Sequence, residues 1–439
     1  MFKKMFTFKG GVKLPGKKHL SRESPIESMP LPKRVVVPLW QHAGSAAKAC
    51  VAIGQQVRAG QPIGLPGGVV SAPVHASISG VVVEIIETAL AGGTVSPAIV
   101  IQGSGEDDRL DLPPIDKWES ADPASLLGRI DEAGVVGLGG AAFPSKVKLS
   151  PPPGKTVDTL LINGAECEPY LTADYRLMVE RADEVVVGIG ILLRVLGVSK
   201  AVIGIEAHAA LAIKAMREAA SSNPAMDIRP LKVKYPQGAE KMLIKALVNR
   251  EVPSGGLPVD VGVIVHNIGT TLAVYQAICL GRTLIERVVT VSGEAIAQPK
   301  NLLTRIGTPV ADLIDACGGA TLGEVTVIAG GPMMGCALSR LDIPIVKGTS
   351  GIIVLPQHKE TPPEDMVCIK CGRCYSVCPL GLSPSELADC AERGLLDEAR
   401  RLGVLDCCNC GACSAICPGR RKNSEIIRRL KAATFKVEK

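Results

Sequence analysis

Near the end of the sequence one pattern of cysteines occurs twice, as Cys368-x2-Cys371-x2-Cys374-x3-Cys378-Pro379 and as Cys407-x2-Cys410-x2-Cys413-x3-Cys417-Pro418. Three cysteines two residues apart let a tight loop present thiolates to three irons of one cubane, and the fourth, stopped by proline, reaches the neighbouring cluster. The spacing therefore assigns Cys368, Cys371, Cys374 and Cys417 to one [4Fe-4S] cluster, and Cys407, Cys410, Cys413 and Cys378 to a second. With 15 cysteines in 439 residues, three more at fixed offsets from a given cysteine arise by chance about 4 × 10⁻⁵ of the time. Zinc is the rival metal, but paired C-x2-C ligation leaves the repeated x3-Cys-Pro closure unexplained. Cys408 and Cys390 fall outside the spacing and read as packing residues, as do Cys50, Cys279, Cys317 and Cys336.

Ten of the fifteen cysteines lie between Cys368 and Cys417, which suits metal ligation in a reducing compartment better than a disulfide framework. A chain of 439 residues exceeds one ordinary core, so two to four domains are expected. The most apolar stretch, Val185 to Val198, carries Arg194 and is too short for a bilayer span. The start of the sequence has no apolar signal segment, so neither secretion nor membrane insertion is expected. The net charge of +6 is mild and gives no reason to expect nucleic acid. Lysines crowd residues 3–18 and basic residues crowd 420–431. These read as solvated ends, or as a contact with anionic lipid or an acidic partner.

Residues 1–35 lack periodicity and read as an N-terminal arm. From 36 to 104, short β-branched runs alternate with glycine turns. The pairing of IGQQVRAGQPIG with SAPVHASISGVVVEI resembles a barrel-sandwich domain of the biotinyl/lipoyl kind. No lysine lies between Lys48 and Lys117 to carry a swinging cofactor, so a structural or docking role is expected. Residues 104–120 are acidic, proline-rich and linker-like. Residues 121–280 alternate strands (DTLLINGAE, KAVIGIEAH) with helices (ADEVVVGIGILLRVLG, HAALAIKAMREAA), an α/β pattern with a largely parallel sheet. Residues 283–356 return to short strands around one helix, as in a β-grasp unit. HKETPPED is a second linker. The cysteine domain, 364–422, carries a helical spacer from Ser383 to Leu402, and 423–439 is a basic tail.

Within the α/β region four loops combine glycine with polar side chains, each beside an apolar run: GLGGAAFPSKVKL (137–149), NGAECEPY (163–170), YPQGAEK (235–241) and VHNIGTT (265–271). Such loops suit a ligand crevice at strand C-termini. The first is neither a P-loop nor a Rossmann fingerprint.

Together these loops resemble the flavin- and NADH-binding subunit of respiratory complex I. With FKGGVKLPGKK, PLWQHAG, SAPVHASISG, RVVTVSG and the twin cysteine motifs, the sequence is more similar still to the RnfC family, one of the subunits of the Rnf electron-transport complex, over about residues 6 to 420. The resemblance implies a multidomain α/β-plus-β protein: barrel-sandwich hybrid, Rossmann-like FMN/NADH-binding domain, SLBB-type β-grasp and α-helical ferredoxin-type 2×[4Fe-4S] domain. It implies non-covalent FMN held by Gly137, Gly139, Gly140, Lys148, Asn163, Gly238, Asn267 and Thr270. Phe143, Glu168 and Glu240 would face NAD(H), and Glu166 would lie near the flavin. Ala142 and Ala239 depart from the complex I pattern, where glycine and glutamate stand. Cys167 reads as a packing thiol.

The resemblance further implies electron transfer between NAD(H), FMN and two clusters, within a complex that couples ferredoxin:NAD oxidoreduction to Na⁺ or H⁺ transport. The partners would be integral-membrane and ferredoxin-like subunits, and ferredoxin indirectly. The location would be the cytoplasmic face of the bacterial inner membrane. No side-chain acid or base is nominated, and the six histidines show no ligand spacing. Two alternatives remain open: a soluble flavin/iron–sulfur reductase such as a cobalamin reductase, and a non-catalytic ferredoxin-type electron wire.

Overall fold

Alternating β-branched residues bury one face of each strand, and in the computed structural model, which describes residues 5–357 and 367–436, they build the first core. Arg34–Pro38, Val95–Gly103, Gly80–Ala89 and Gln56–Val57 pair antiparallel in that order, facing a smaller sheet of Lys48–Ala49, Pro62–Leu65 and Val74–His75. Val35, Val37, Ile63, Val74, Ile99 and Ile101 are fully enclosed between them. This is the barrel-sandwich unit.

The α/β unit has four parallel strands in the order Met226–Leu231, Ala201–Glu206, Thr159–Gly164, Val263–Asn267. By position in the chain that is third, second, first, fourth. The order reverses between Thr159–Gly164 and Val263–Asn267, and such a reversal opens a crevice at the strand C-termini. Helix Ala182–Leu196 buries Val185, Ile189, Leu192 and Leu193 against the sheet and ends at Gly197, whose φ of 66° suits glycine.

The next sheet contains Lys300–Arg305, Glu286–Ser292, Gly351–Pro356 and Val325–Ala329 in that order, with Glu286–Ser292 and Gly351–Pro356 parallel. Helix Val310–Ala316 packs Val310, Leu313 and Ile314 into its core. This is the β-grasp arrangement, extended at one edge by Ile26–Ser28.

The N-terminal arm runs across several units. Phe6 bridges to Leu231 and Val12 to Tyr235, and the Gly11 N–H donates to the Val377 carbonyl at 2.8 Å. The acidic stretch 104–120 is likewise held down, with Asp108 paired to Arg58 and Asp107 to Arg305. HKETPPED lies outside the described residues.

In the cysteine region, the spacer is two helices, Pro384–Arg393 and Leu396–Arg401, broken at Gly394. The stretch read from sequence as a basic tail is helical over Asn423–Lys436. Ile427 and Leu430 pack beside Leu387, Cys390, Ala399 and Val404; the apolar i, i+3 spacing outweighs the basic composition. Among the described residues no helix is long and apolar enough to cross a membrane.

Candidate functional site: a flavin crevice beside a cluster cavity

At the reversal point Asn163 and Asn267 are paired residues on adjacent strands. Asn163 Nδ2 donates to the Gly238 carbonyl at 2.8 Å, and its Oδ1 accepts from Ala165 N–H at 3.0 Å. Asn267 Oδ1 caps helix Ile268–Cys279 by accepting from Thr270 N–H at 3.3 Å, while its Nδ2 donates to Asp174 Oδ2 at 2.6 Å. The glycine-rich loop folds over this pair. Its base is closed by Gly137 N–H donating to the Phe143 carbonyl at 2.9 Å, and Leu138 N–H donates to Thr270 Oγ1 at 2.8 Å. Gly139 and Gly140 are exposed, and a Cβ on Gly139 would lie 3.4 Å from that of Asn267. Ala142, where the related pattern has glycine, is buried with φ of 48°, so its methyl is carried in the left-handed region.

The structure thus gathers Gly137, Gly139, Gly140, Asn163, Gly238, Asn267 and Thr270 around the point where the strand order reverses, the place at which a crevice is expected. Lys148 and Glu240, assigned from the resemblance to flavin and nucleotide respectively, form an ion pair at 2.5 Å. Phe143 is half-buried at the end of the loop. Glu166 turns toward helix Ala173–Glu180, accepting from Asp174 and Tyr175 N–H at 3.0 and 3.4 Å. Burial raises its pKa, Lys18 pulls it back and Asp174 raises it again. Glu168 accepts from the Met333 and Met334 N–H groups, both at 3.0 Å. That carboxylate staples the β-grasp unit to the crevice.

Lys18, read from sequence as part of a solvated basic end, is instead docked on the carbonyls of Glu168 and Leu171 at 3.0 and 2.5 Å. Burial, then the charges of Glu206 and Glu168, push the Cys167 thiol up to about 12, and it accepts from Gly238 N–H at 3.3 Å. It is a packed, protonated thiol.

Both cysteine motifs turn in the same way. Lys370 and Asn409 have positive φ (51° and 55°), as do the following glycines, Gly372 and Gly411 (72° and 78°). Each loop then runs into a short helix, Arg373–Val377 or Ala412–Ala415. A cavity of about 410 Å³, open mouth included, is lined by Cys407, Cys410, Cys413 and Cys378. These are the four cysteines that the spacing assigned together, one of them from the other motif. Cys408, read from sequence as packing, also lines this wall. Burial pushes Cys413 up to about 12, and the neighbouring Cys407, Cys378 and Cys374 add to it. Thiols crowded in this way suit ligation, because irons supply the charge that thiolates need. Among the described residues no three His, Cys, Asp or Glu side chains close on a single-ion position; these thiols ring a cavity. At the other motif, the backbone space beside Gly419 is shared by Cys417 Sγ and the Val367 carbonyl, which places Cys417 near the start of the first motif. Cys50 is exposed, contrary to its packing assignment, whereas Cys317 and Cys390 are buried.

Crevice and cavity adjoin. Tyr235, 2% exposed, donates its hydroxyl to the Cys410 carbonyl at 2.7 Å. Val12, Tyr235, Val377, Cys410 and Ala412 form one apolar cluster, with Cys167, Met333 and Cys408 at its edge.

Four family models match along the chain: an RnfC barrel-sandwich hybrid domain over 6–106, a Nuo51 FMN-binding domain over 130–276, an SLBB domain over 288–337 and a 4Fe-4S dicluster domain over 363–418. The chain is 48% identical to a subunit of the proton-translocating ferredoxin:NAD⁺ oxidoreductase complex of Clostridium ljungdahlii, over 97% of this chain and 93% of the relative. It is 42% identical to the corresponding subunit of the Na⁺-translocating ferredoxin:NAD⁺ oxidoreductase complex of Acetobacterium woodii, over 91% and 90%. The matching subunit of an ion-translocating oxidoreductase complex of Rhodobacter capsulatus is also 42% identical, over 91% of this chain and 78% of the relative. Among solved structures, an NAD⁺-reducing [NiFe]-hydrogenase in its H2-reduced state shares the fold, with a TM-score of 0.51 and 19% identity over 73% of this chain and 64% of that one. Matching models in sequence and relatives aligned over nearly all of its length place this chain in the RnfC family of ion-translocating ferredoxin:NAD⁺ oxidoreductase complexes, with an FMN-binding domain and a 4Fe-4S dicluster domain.

Proposed function

We propose that this chain passes electrons between NAD(H) and two [4Fe-4S] clusters through FMN, as the peripheral subunit of a complex that couples ferredoxin:NAD⁺ oxidoreduction to Na⁺ or H⁺ transport. The observation that carries this reading is the direct contact between crevice and cavity through Tyr235 and Cys410. A bound flavin supplies the change from hydride to single-electron transfer.

The residues act around it. The Gly137–Phe143 loop and Gly238 let backbone approach the ligand, and Asn163, Asn267 and Thr270 fix those loops. Val12, Tyr235 and Val377 exclude water from the path between the two sites. No side chain is needed as acid or base. Phe143 and Glu240 are proposed to meet the nicotinamide nucleotide, while Glu168 positions the β-grasp loop. The set Cys368, Cys371, Cys374 and Cys417 holds one cluster, and Cys407, Cys410, Cys413 and Cys378 the other.

The proposed partners are integral-membrane and ferredoxin-like subunits of the complex, on the cytoplasmic face of the inner membrane. The test is reconstitution. Membranes stripped of this chain lose ferredoxin-driven NAD⁺ reduction, and adding the purified chain back restores it. Full activity in stripped membranes would refute the assignment.

A further inference from the structure

Arg287 belongs to the β-grasp strand Glu286–Ser292 yet serves the α/β unit. It is 7% exposed. Its Nη1 donates to the Lys347 carbonyl, its Nη2 donates to the Leu138 carbonyl at 3.2 Å, and its Nε donates to the Val288 carbonyl at 3.3 Å. Leu138 is the residue between Gly137 and Gly139, and its own N–H is held by the fully buried Thr270 hydroxyl at 2.8 Å. Both peptide groups flanking Leu138 are therefore fixed by side chains from outside the loop.

A trans peptide is planar with its C=O and N–H antiparallel. Holding the Leu138 carbonyl thus sets the direction of the Gly139 N–H, which points away from the guanidinium. Free glycines would otherwise lose much backbone entropy on binding a ligand, and fixing them beforehand removes that cost.

We propose that Arg287 is a positioning residue for the flavin, clamping the Leu138 peptide together with Thr270 so that the glycine-rich loop is set before FMN arrives. The role rests on the FMN reading above and deepens it. An arginine suits it because one planar fork reaches two carbonyls on different segments, which a lysine cannot copy. Asp174 supplies the opposing charge, and burial lowers Arg287 only to about 10, so the guanidinium stays charged near neutrality.

The test uses the full chain with its clusters, deflavinated and titrated with FMN while flavin fluorescence is followed. Arg287→Met is expected to weaken FMN binding on the order of tenfold or more with iron content unchanged, because one loop carbonyl loses its charged partner. Arg287→Lys restores part of the loss. A folded, iron-replete Arg287→Met protein that binds FMN within about twofold of wild type overturns the proposal. Should Arg287→Met not accumulate with its clusters, Thr270→Val carries the same expectation, with recovery in Thr270→Ser; unchanged binding in Thr270→Val equally overturns the clamp. A wild-type chain that takes up no FMN at all refutes the flavin reading instead.

Discussion

A methyl group on Gly238 would sit 2.4 Å from the Ala165 carbonyl oxygen, closer than any relaxed contact, and that oxygen belongs to backbone that cannot step aside alone. Gly238→Ala is therefore expected to part the two loops and lower FMN occupancy on the order of tenfold, with iron per chain unchanged. Flavin released by acid and iron by colorimetry give both numbers on one sample; a parallel fall of the two would show global damage instead. At this scale the sequence was partly legible. Glycines and asparagines at strand ends announce a crevice because their backbone freedom and short amides have few other uses there. The loop carboxylates were less legible. Glu166 and Glu168 sit in the expected loop, but the N–H groups that occupy them come from a neighbouring helix and from Met333 and Met334. Arg287 gave no local signal, since an arginine inside RVVTVSG looks like any strand residue until the Leu138 carbonyl is placed beside it.

Among the elements, the two cysteine loops were readable from their spacing, because cluster ligation leaves little freedom there, whereas the break of the spacer into two helices at Gly394 was not. The crossing of the fourth cysteine gives a sharp test. Cys378→Ser is expected to remove the cluster of the second motif, whose cavity Cys378 lines, and to leave the cluster of its own motif. Iron then falls from about eight to about four per chain. Adding Cys407→Ser should lose nothing further, whereas further loss would mean that Cys378 serves its own motif. What sequence could not show is how the cysteine domain seats itself. Tyr235 is a loop residue of the α/β unit, and its hydroxyl bond to Cys410 joins positions 175 residues apart. Tyr235→Phe leaves the Cys410 carbonyl buried and unpaired at a cost of about 1–2 kcal/mol. Amide exchange across 407–417 should then quicken on the order of tenfold, and unchanged exchange would mean that the contact holds nothing.

Across the whole molecule, the arm ties the units together through Phe6, Val12, Gly11 and Ile26–Ser28, which a stretch without periodicity could not announce. A buried amine also lies between units. Lys347, 1% exposed, donates to the Pro73 and Gly134 carbonyls at 3.0 and 2.7 Å, joining the barrel-sandwich, α/β and β-grasp units. Nearby His75 is pushed down to about 3, chiefly by burial and then by the charge of Lys347, against a raising hydrogen bond that its ring donates to the Glu132 carbonyl. Its folded pKa lies below its unfolded value near 6.5, so its contribution is complete above that value and is lost as pH falls toward 3. Between pH 7 and 5 the loss is about 2 kcal/mol. Glu206, pushed up to about 7 mainly by burial, works in the opposite sense over part of that range. Burial also lowers Lys347 to about 7. The comparison is therefore wild type against His75→Gln, in which the Glu206 and Lys347 contributions both cancel, because folded His75 stays neutral over this range. The stability difference should narrow by that amount on acidification, and a pH-independent difference would contradict the assignment.

The flavin crevice and the cluster cavity, joined at Tyr235 and Cys410, make up the proposed electron path. Its most direct test is an anaerobic NADH titration of the full chain, carrying about eight irons and one FMN, followed by absorption and electron paramagnetic resonance. Bleaching of the flavin with appearance of reduced-cluster signals is the expected result; clusters that stay oxidised while the flavin is fully reduced, at a potential low enough to reduce them, would contradict it.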